Sequence, residues 1–303
     1  MEEFSHRHLS VSLQYFLLFT ILRTIKPMKN RILLALLTFL CLTTFSSHAQ
    51  AETVLEKVAR TGELKAGSRA DAVPFSYTNS QGKLEGYSVD LLSLIHKKLE
   101  EKLNKKIKLN LATVTVNDRF REVKNGNLDI VCEATTITQE RLERVDFSIP
   151  FFITGAQFLI KKSNDENFDV NGTLKDQAIA YIPNTTTFDI IPQIYPTAKW
   201  VEVKNRQEGI AKLTEGSVNA VVSDGILLIG ELVKNGKDPR QFTLTPRQPI
   251  TTELYGCILP KDNGEWKQVV DAVIASEENH DLQEEWFNID KSKFPYLVRT
   301  DAR

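Results

Sequence analysis

The stretch NGNLDIVCEATTITQERLERVDFSIPFFITG, Asn125 to Gly155, decides how the chain reads. Asn125-Gly126 is a turn signal, and Leu128 to Cys132 is a short apolar run that reads as a strand. Behind it stand Thr135, Thr136, Arg141 and Arg144. Two readings of that polar group remain open: a solvated, charged helix face, or a cation that holds a small anion in a cleft.

Upstream, TGELKAG reads as a turn and a strand ending near Gly67. FSYTNSQGKLEGYSVDLLSLIHKKLEEKLNKK follows as a strand, a turn at Asn79 to Gly82 and a helix from about Val89 to Leu103. IKLNLATV alternates like a strand, and DRFREVK is a short helix before the opening stretch. The order is βαβαβ, which predicts an open sheet with helices on both faces and ligand groups on loops at strand ends.

Downstream, a second unit begins after GAQFLIKKSNDE. QAIAYIPNTTTFDIIPQIYP gives strand, loop and a helix interrupted by Pro192 and Pro196, and WVEVKNRQEGIAKLTEGSVNAVVSDGILLIGELVKNG repeats strand and helix twice. The fold class is therefore α/β in two domains. TTELYGCILPKDN reads as one more strand and GEWKQVVDAVIASEENHDLQEEWF as helix. If this tail returns to the first domain, two crossings near residues 160 and 250 form a hinge; a linear layout is the alternative.

Before residue 52 the chain has a different character. Leu13 to Leu22 is apolar over about half of the roughly 20 residues a membrane span needs. Ile32 to Leu42 is apolar too, follows Met28, Lys29 and Arg31, and leads to Ala49-Gln50-Ala51. A positive flank, a short apolar run and an A-x-A site make a secretory signal peptide, predicted to be cut after Ala51. The upstream 27 residues give that signal a long lead, which translation from Met28 would explain; a long signal or an uncleaved anchor is the alternative. TFLC around Cys41 lacks the small residues of a lipidation site.

Residues 1–51 carry five Lys/Arg and two Asp/Glu, so the remainder has 33 basic and 37 acidic residues and a formal charge of −4. That balance speaks against a nucleic-acid partner. Cys132 and Cys257 remain, an even number in a chain bound for an oxidising compartment. They form either a disulfide or two buried thiols.

No phosphate-binding glycine loop, paired CxxC, HExxH or GxSxG occurs in the exported part, and its histidines, His96 and His280, sit in helical segments. No cofactor, metal site or histidine-based catalytic group is expected. Polar residues at strand ends carry the chemistry instead: Arg69, Arg119, Thr135, Thr136, Arg141, Asn184, Thr185, Arg206 and Asp224. Singly, each reads as a solvated or turn residue; their shared placement after strands favours a cleft. An amino-acid zwitterion needs a cation and donors for its carboxylate and an acceptor for its ammonium. An arginine fork matches the first, and Asp224 suits the second, held more rigidly if the strand NAVVS ends in a tight Asp-Gly turn.

VPFSY with GKLEGYSVDL, the opening stretch, EGSVNAVVSDG and LYGCILPKDN, in that order, resemble the periplasmic solute-binding proteins of polar amino-acid ABC transporters. The likeness runs from about Thr53 to Phe287. GSRADAVPFSY and the contexts of Cys132 and Cys257 look most like the glutamate/aspartate binders. The resemblance implies the type II periplasmic binding protein fold, two lobes that close on ligand about a two-crossing hinge. Lobe 1 would be residues 52–160 and 250–303, and lobe 2 residues 161–249. It implies that Arg141 holds the α-carboxylate with Thr136, that Asp224 accepts from the α-ammonium and that Thr185 is a contact from lobe 2. Arg69 and Arg119 match the further arginines that favour a side-chain carboxylate. Ala134 and Val116 stand where the subgroup commonly has serines, Ile182 where it has threonine, and Arg206 where a histidine is familiar.

The function expected is capture of L-glutamate or L-aspartate in the periplasm by a monomer and delivery to a membrane permease of an ABC transporter. Binding of another polar amino acid such as glutamine is one alternative. A dehydratase-like enzyme on the same scaffold is another, with Glu133 as the nearby acid; Glu133 itself reads as structural or solvent-facing. A sensory module would require residues 1–51 to stay attached.

Overall fold

The structure, a computed structural model, describes residues 52–287; the signal-peptide reading of residues 1–51 lies outside the described residues. The first helix, α1 (Val54–Thr61), starts at a capping box in which Thr53 and Glu56 satisfy each other's amides, and ends at Gly62 in the left-handed region. Then come β1 (Glu63–Arg69), β2 (Asp71–Ala72), β3 (Ser76–Thr78), β4 (Leu84–Glu85), α2 (Tyr87–Leu103), β5 (Lys108–Val114), α3 (Arg119–Lys124), β6 (Ile130–Val131), α4 (Gln139–Leu142) and β7 (Asp146–Phe147). The expected βαβαβ order is present, with the helix over 87–103 beginning two residues earlier than its periodicity predicts.

Next follow β8 (Phe152–Thr154), β9 (Ala156–Lys161), β10 (Ala178–Tyr181), α5 (Thr186–Ile194), β11 (Lys199–Glu202), α6 (Arg206–Glu215), β12 (Ala220–Asp224), α7 (Gly225–Lys234) and β13 (Phe242–Thr245). The described chain closes with β14 (Glu253–Tyr255), β15 (Ile258–Leu259), α8 (Gly264–Ile274) and α9 (Glu277–Phe287).

Two five-stranded sheets organise these elements. The first has the order β5-β1-β6-β15-β7, the second β11-β10-β12-β9-β13. β1 is parallel to β5 and β6, whereas β15 enters between β6 and β7 antiparallel to both. The tail thus rejoins the first sheet rather than extending a linear chain of domains. In the second sheet β10, β11 and β12 are parallel, and β9 runs antiparallel to β12 and β13.

The first crossing lies earlier than the expected position near residue 160, because Ala156–Lys161 already pairs with the second sheet. The switch occurs at Gly155, between β8 and β9. There the two crossing segments touch: a Cβ on Gly155 would collide with the carbonyl of Thr251, and β8 pairs with β14 as a short ladder. TTELYGCILP, which reads as one strand, is two, since Tyr255 belongs to that ladder and Ile258 to the first sheet.

Both sheets are apolar on two faces, as doubly wound sheets require. In β12, Ala220 and Val222 enter one cluster with Phe158 and Ile179, while Val221 enters another with Leu159 and Ile210. Against the first sheet, Leu91, Leu92 and Ile95 of α2 join Leu64, Trp266 and Val270. Ile226 and Leu227 of α7 join that same cluster, so a helix of the second unit packs on the first. Cys132, just after β6, and Cys257, just before β15, form a disulfide with Cα atoms 4.3 Å apart. It pins the returning tail to the first sheet.

Candidate functional site

Arg69, Arg119, Thr136, Arg141, Thr185, Arg206 and Asp224 line one small pocket between the two sheets, together with Ala134, Thr186, Thr187 and Ser223. Five of the seven predicted residues stand at element boundaries, and Arg141 lies within α4. Arg69 ends β1, Arg119 opens α3, Thr185 caps α5, Arg206 opens α6 and Asp224 ends β12. Strand ends on both sheets face the same cleft, which is how positions spread from 69 to 224 converge. Asp224 sits at a strand-to-helix junction, as the N-cap residue of α7, and not in a tight Asp-Gly turn.

Asp224 is 7% exposed, and one of its oxygens has no hydrogen-bond partner. The other accepts the hydroxyl of Tyr255, which is fully buried at the end of β14. The Tyr255 ring is held by Phe75 at 5.3 Å and Phe152 at 6.2 Å between centroids, so its hydroxyl has little freedom. Burial, reinforced by the nearby Glu253 carboxylate, pushes the Asp224 carboxyl up to about 6.

Arg141 donates to the backbone oxygen of Thr136 at 2.7 Å, and its guanidinium lies 5.3 Å from the Phe120 ring centre. Burial lowers its pKa, while the rest of its fork points to no carboxylate within ion-pair reach among the described residues. Arg206 donates to Ser223 Oγ at 3.0 Å and to the Asp71 carbonyl at 3.3 Å, likewise without a carboxylate in reach. Burial, with Arg69 adding to it, lowers the Arg206 pKa.

Arg69 and Arg119 differ, because both are paired. Arg69 makes a fork of two 2.8 Å bonds to Asp71. Burial acts against its charge, but Asp71 and Glu133 outweigh that and hold its pKa above the ordinary value. Burial opposes ionisation of Asp71 as well, yet Arg69 brings its carboxyl down to about 2. Arg119 lies 3.0 Å from Glu133, and Arg69 lies 3.7 Å from the other Glu133 oxygen. Burial and the neighbouring Arg69 and Arg141 nevertheless pull Arg119 down to about 10, against the attraction of Glu133. Glu133 is fully buried and faces the cleft arginines, not solvent.

Segments that follow strands of the two sheets also meet directly. Asn184 donates to Asn117 at 3.0 Å, and Thr186 lies 3.5 Å from Thr136 and 3.0 Å from a Glu253 oxygen. Thr185 spends its hydroxyl locally, donating to the Ile182 carbonyl at 2.8 Å and accepting the Phe188 amide. Its outward contribution is therefore the start of α5, where free amides favour an anion. Asp71, Glu253 and Tyr255 are absent from the sequence reading. Asp71 left a signal, because residues two apart on an extended segment share a face. Tyr255 left none, its partner Asp224 lying 31 positions away. Among the described residues no group of His, Cys, Asp and Glu is arranged to hold a metal ion, and no helix is long and apolar enough to cross a membrane.

This arrangement can grip a zwitterion at two ends and a charged group between them. Residues 64–289 match the family described as bacterial extracellular solute-binding proteins, family 3. The glutamate/aspartate import solute-binding protein of Escherichia coli K12 is 32% identical over 78% of this chain and 79% of its own length. The L-glutamate/L-aspartate-binding protein of Pseudomonas aeruginosa is 32% identical over 77% and 79%. A glutamine-binding protein of Geobacillus stearothermophilus is 31% identical over 67% and 74%. Among solved structures, an ancestral amino-acid-binding protein described as a precursor of cyclohexadienyl dehydratase superposes with a TM-score of 0.67 at 25% identity, covering 78% of this chain and 99% of that one. An ancestral arginine-binding protein bound to arginine gives 0.65 at 25% identity, covering 75% and 98%. The fold is that of the type II periplasmic binding proteins, and the chain belongs to family 3 of the bacterial extracellular solute-binding proteins.

Proposed function

We propose that the protein captures an acidic L-amino acid, glutamate or aspartate, in the periplasm after loss of residues 1–51, and hands it to the permease of an ABC transporter. In this reading Arg141 and Thr136 take the α-carboxylate. The unpartnered oxygen of Asp224 takes the α-ammonium. Arg69, Arg119 and Arg206 face the side chain. Lobe 1 comprises the first sheet with the returning tail, and lobe 2 the second sheet from Ala156 to about Ile250.

The observation that carries the acidic ligand is the charge count at the side-chain end. Three arginines stand there against two resident carboxylates, Asp71 and Glu133, and Arg206 has no carboxylate in ion-pair reach. One positive charge is left over, which one side-chain carboxylate cancels. A neutral glutamine would leave it buried and unpaired, a state that costs several kcal/mol. Arginine would add a second. Ligand bridges both lobes, so it binds the closed form better and draws the population there.

A binding role is favoured over an enzymatic one because Glu133, the acid at the cleft, is engaged by two arginines rather than aimed at an open reaction centre. Native purification, acid release and amino-acid analysis of the bound fraction test the reading. Glutamate or aspartate is expected; stoichiometric glutamine or arginine, or conversion of a candidate acid to product, would overturn it.

A further inference from the structure

Glu133 enters the capture mechanism only as one charge in the count at the side-chain end of the cleft, with no ligand atom assigned to it. Its side chain is fully buried, and neither of its oxygens makes a hydrogen bond. Its partners are cations: Arg119 at 3.0 Å and Arg69 at 3.7 Å. The residue stands between the disulfide-bonded Cys132 and Ala134, which lines the pocket. Its own carbonyl accepts the Thr135 amide at 2.7 Å and fixes the turn.

A purely structural acid would be expected to satisfy its lone pairs with well-formed hydrogen bonds, as Asp129 does with the Lys65 amide at 2.9 Å and the Lys57 ammonium at 2.8 Å. Glu133 instead spends its charge on the two arginines best placed to meet a ligand's side chain. We propose that Glu133 is a charge filter: it holds the side-chain end of the cleft at one uncompensated positive charge, so that the site accepts a monoanionic side chain and rejects a dianionic one. Without it, Arg119 would lose its one ion-pair partner among the described residues, the end would carry two uncompensated charges, and a phosphorylated side chain would fit the count. This inference rests on the acidic-ligand reading.

The probes are L-glutamate, L-aspartate and O-phospho-L-serine, whose phosphate carries about −1.5 to −2 at neutral pH. Calorimetric titration of the wild-type protein at pH 7.5 is expected to favour the better carboxylate over phosphoserine by at least about 30-fold. Glu133→Gln keeps the shape and removes the charge, and should narrow that ratio by about tenfold or more. Glu133→Asp keeps the charge and should keep the ratio within about threefold, a distinction that a merely structural role would not make. Cooperative melting checks that each variant folds, and if Glu133→Gln does not, the wild-type ratio and Glu133→Asp decide. Wild type binding phosphoserine as tightly as glutamate or aspartate overturns the filter, as does a folded Glu133→Gln with an unchanged ratio or a folded Glu133→Asp with a shifted one. Wild type binding none of the three overturns the acidic-ligand reading and the filter with it.

Discussion

Tyr255 of lobe 1 donates its hydroxyl hydrogen to Asp224 of lobe 2, and both side chains are buried. The same carboxylate is thus a link between the lobes and the proposed seat of the ligand's ammonium. Its protonation should therefore be visible in binding.

The Asp224 carboxyl titrates at about 6 because burial, aided by Glu253, disfavours its charge. An ammonium pairs with the ionised form, so below about pH 6 binding must first expel a proton. The dissociation constant is expected to be flat from about pH 8 to 7 and to weaken by up to tenfold per unit below about 6. For the ligand-free fold the sign is opposite. A raised carboxyl pKa makes the ionised form a cost that is present above about 6 and absent below the ordinary 3.8. Relative to Asp224→Asn, the wild type should gain melting temperature as pH falls through that window. Calorimetry and melts across pH 4 to 8 check both; an equal slope in Asp224→Asn would refute the assignment.

Arg141 donates to Thr136 but has no carboxylate within reach among the described residues, which leaves its fork for the ligand. Arg141→Ala should weaken binding by about 2 to 5 kcal/mol, the cost of removing one partner of a buried charged pair. Its melting temperature without ligand should change little. A dissociation constant equal to wild type would remove Arg141 from the site.

Gly230 of α7 packs directly against the backbone of Val73, since a Cβ there would run into its carbonyl. Gly230→Ala touches no ligand, yet it should hold the lobes apart. Affinity is expected to fall about tenfold, and small-angle scattering of the ligand-saturated protein should report a larger radius of gyration. Wild-type affinity with unchanged scattering would show that the contact gives way at no cost.

The disulfide links Cys132 to Cys257, 125 residues on, and encloses the whole of lobe 2. Replacing both cysteines by serine should cost about 2 to 5 kcal/mol in urea denaturation. An unchanged denaturation midpoint would contradict the stabilising role of the link.

Much of the site was legible because of where its residues sit. Arg69, Arg119, Arg206 and Asp224 each fall at the end of a strand or the start of the next helix, and in an α/β sheet those positions gather at one edge. Glu133 was not legible. Alternation along IVCEA says only that its side chain leaves the face of Cys132, and whether that face meets water or the other lobe depends on packing far away in sequence. The crossing near Gly155 was hidden for a similar reason. FITGAQFLI is apolar on both sides of the glycine, so periodicity shows no break where the chain changes sheets.

Calorimetric titration of the ligand-stripped, processed protein with glutamate, aspartate, glutamine and arginine tests the central claim most directly. Glutamate or aspartate should bind with a dissociation constant in the micromolar range or tighter, about −8 kcal/mol or better, and glutamine at least about tenfold more weakly. Tight binding of glutamine or arginine with no response to either acid would contradict the account.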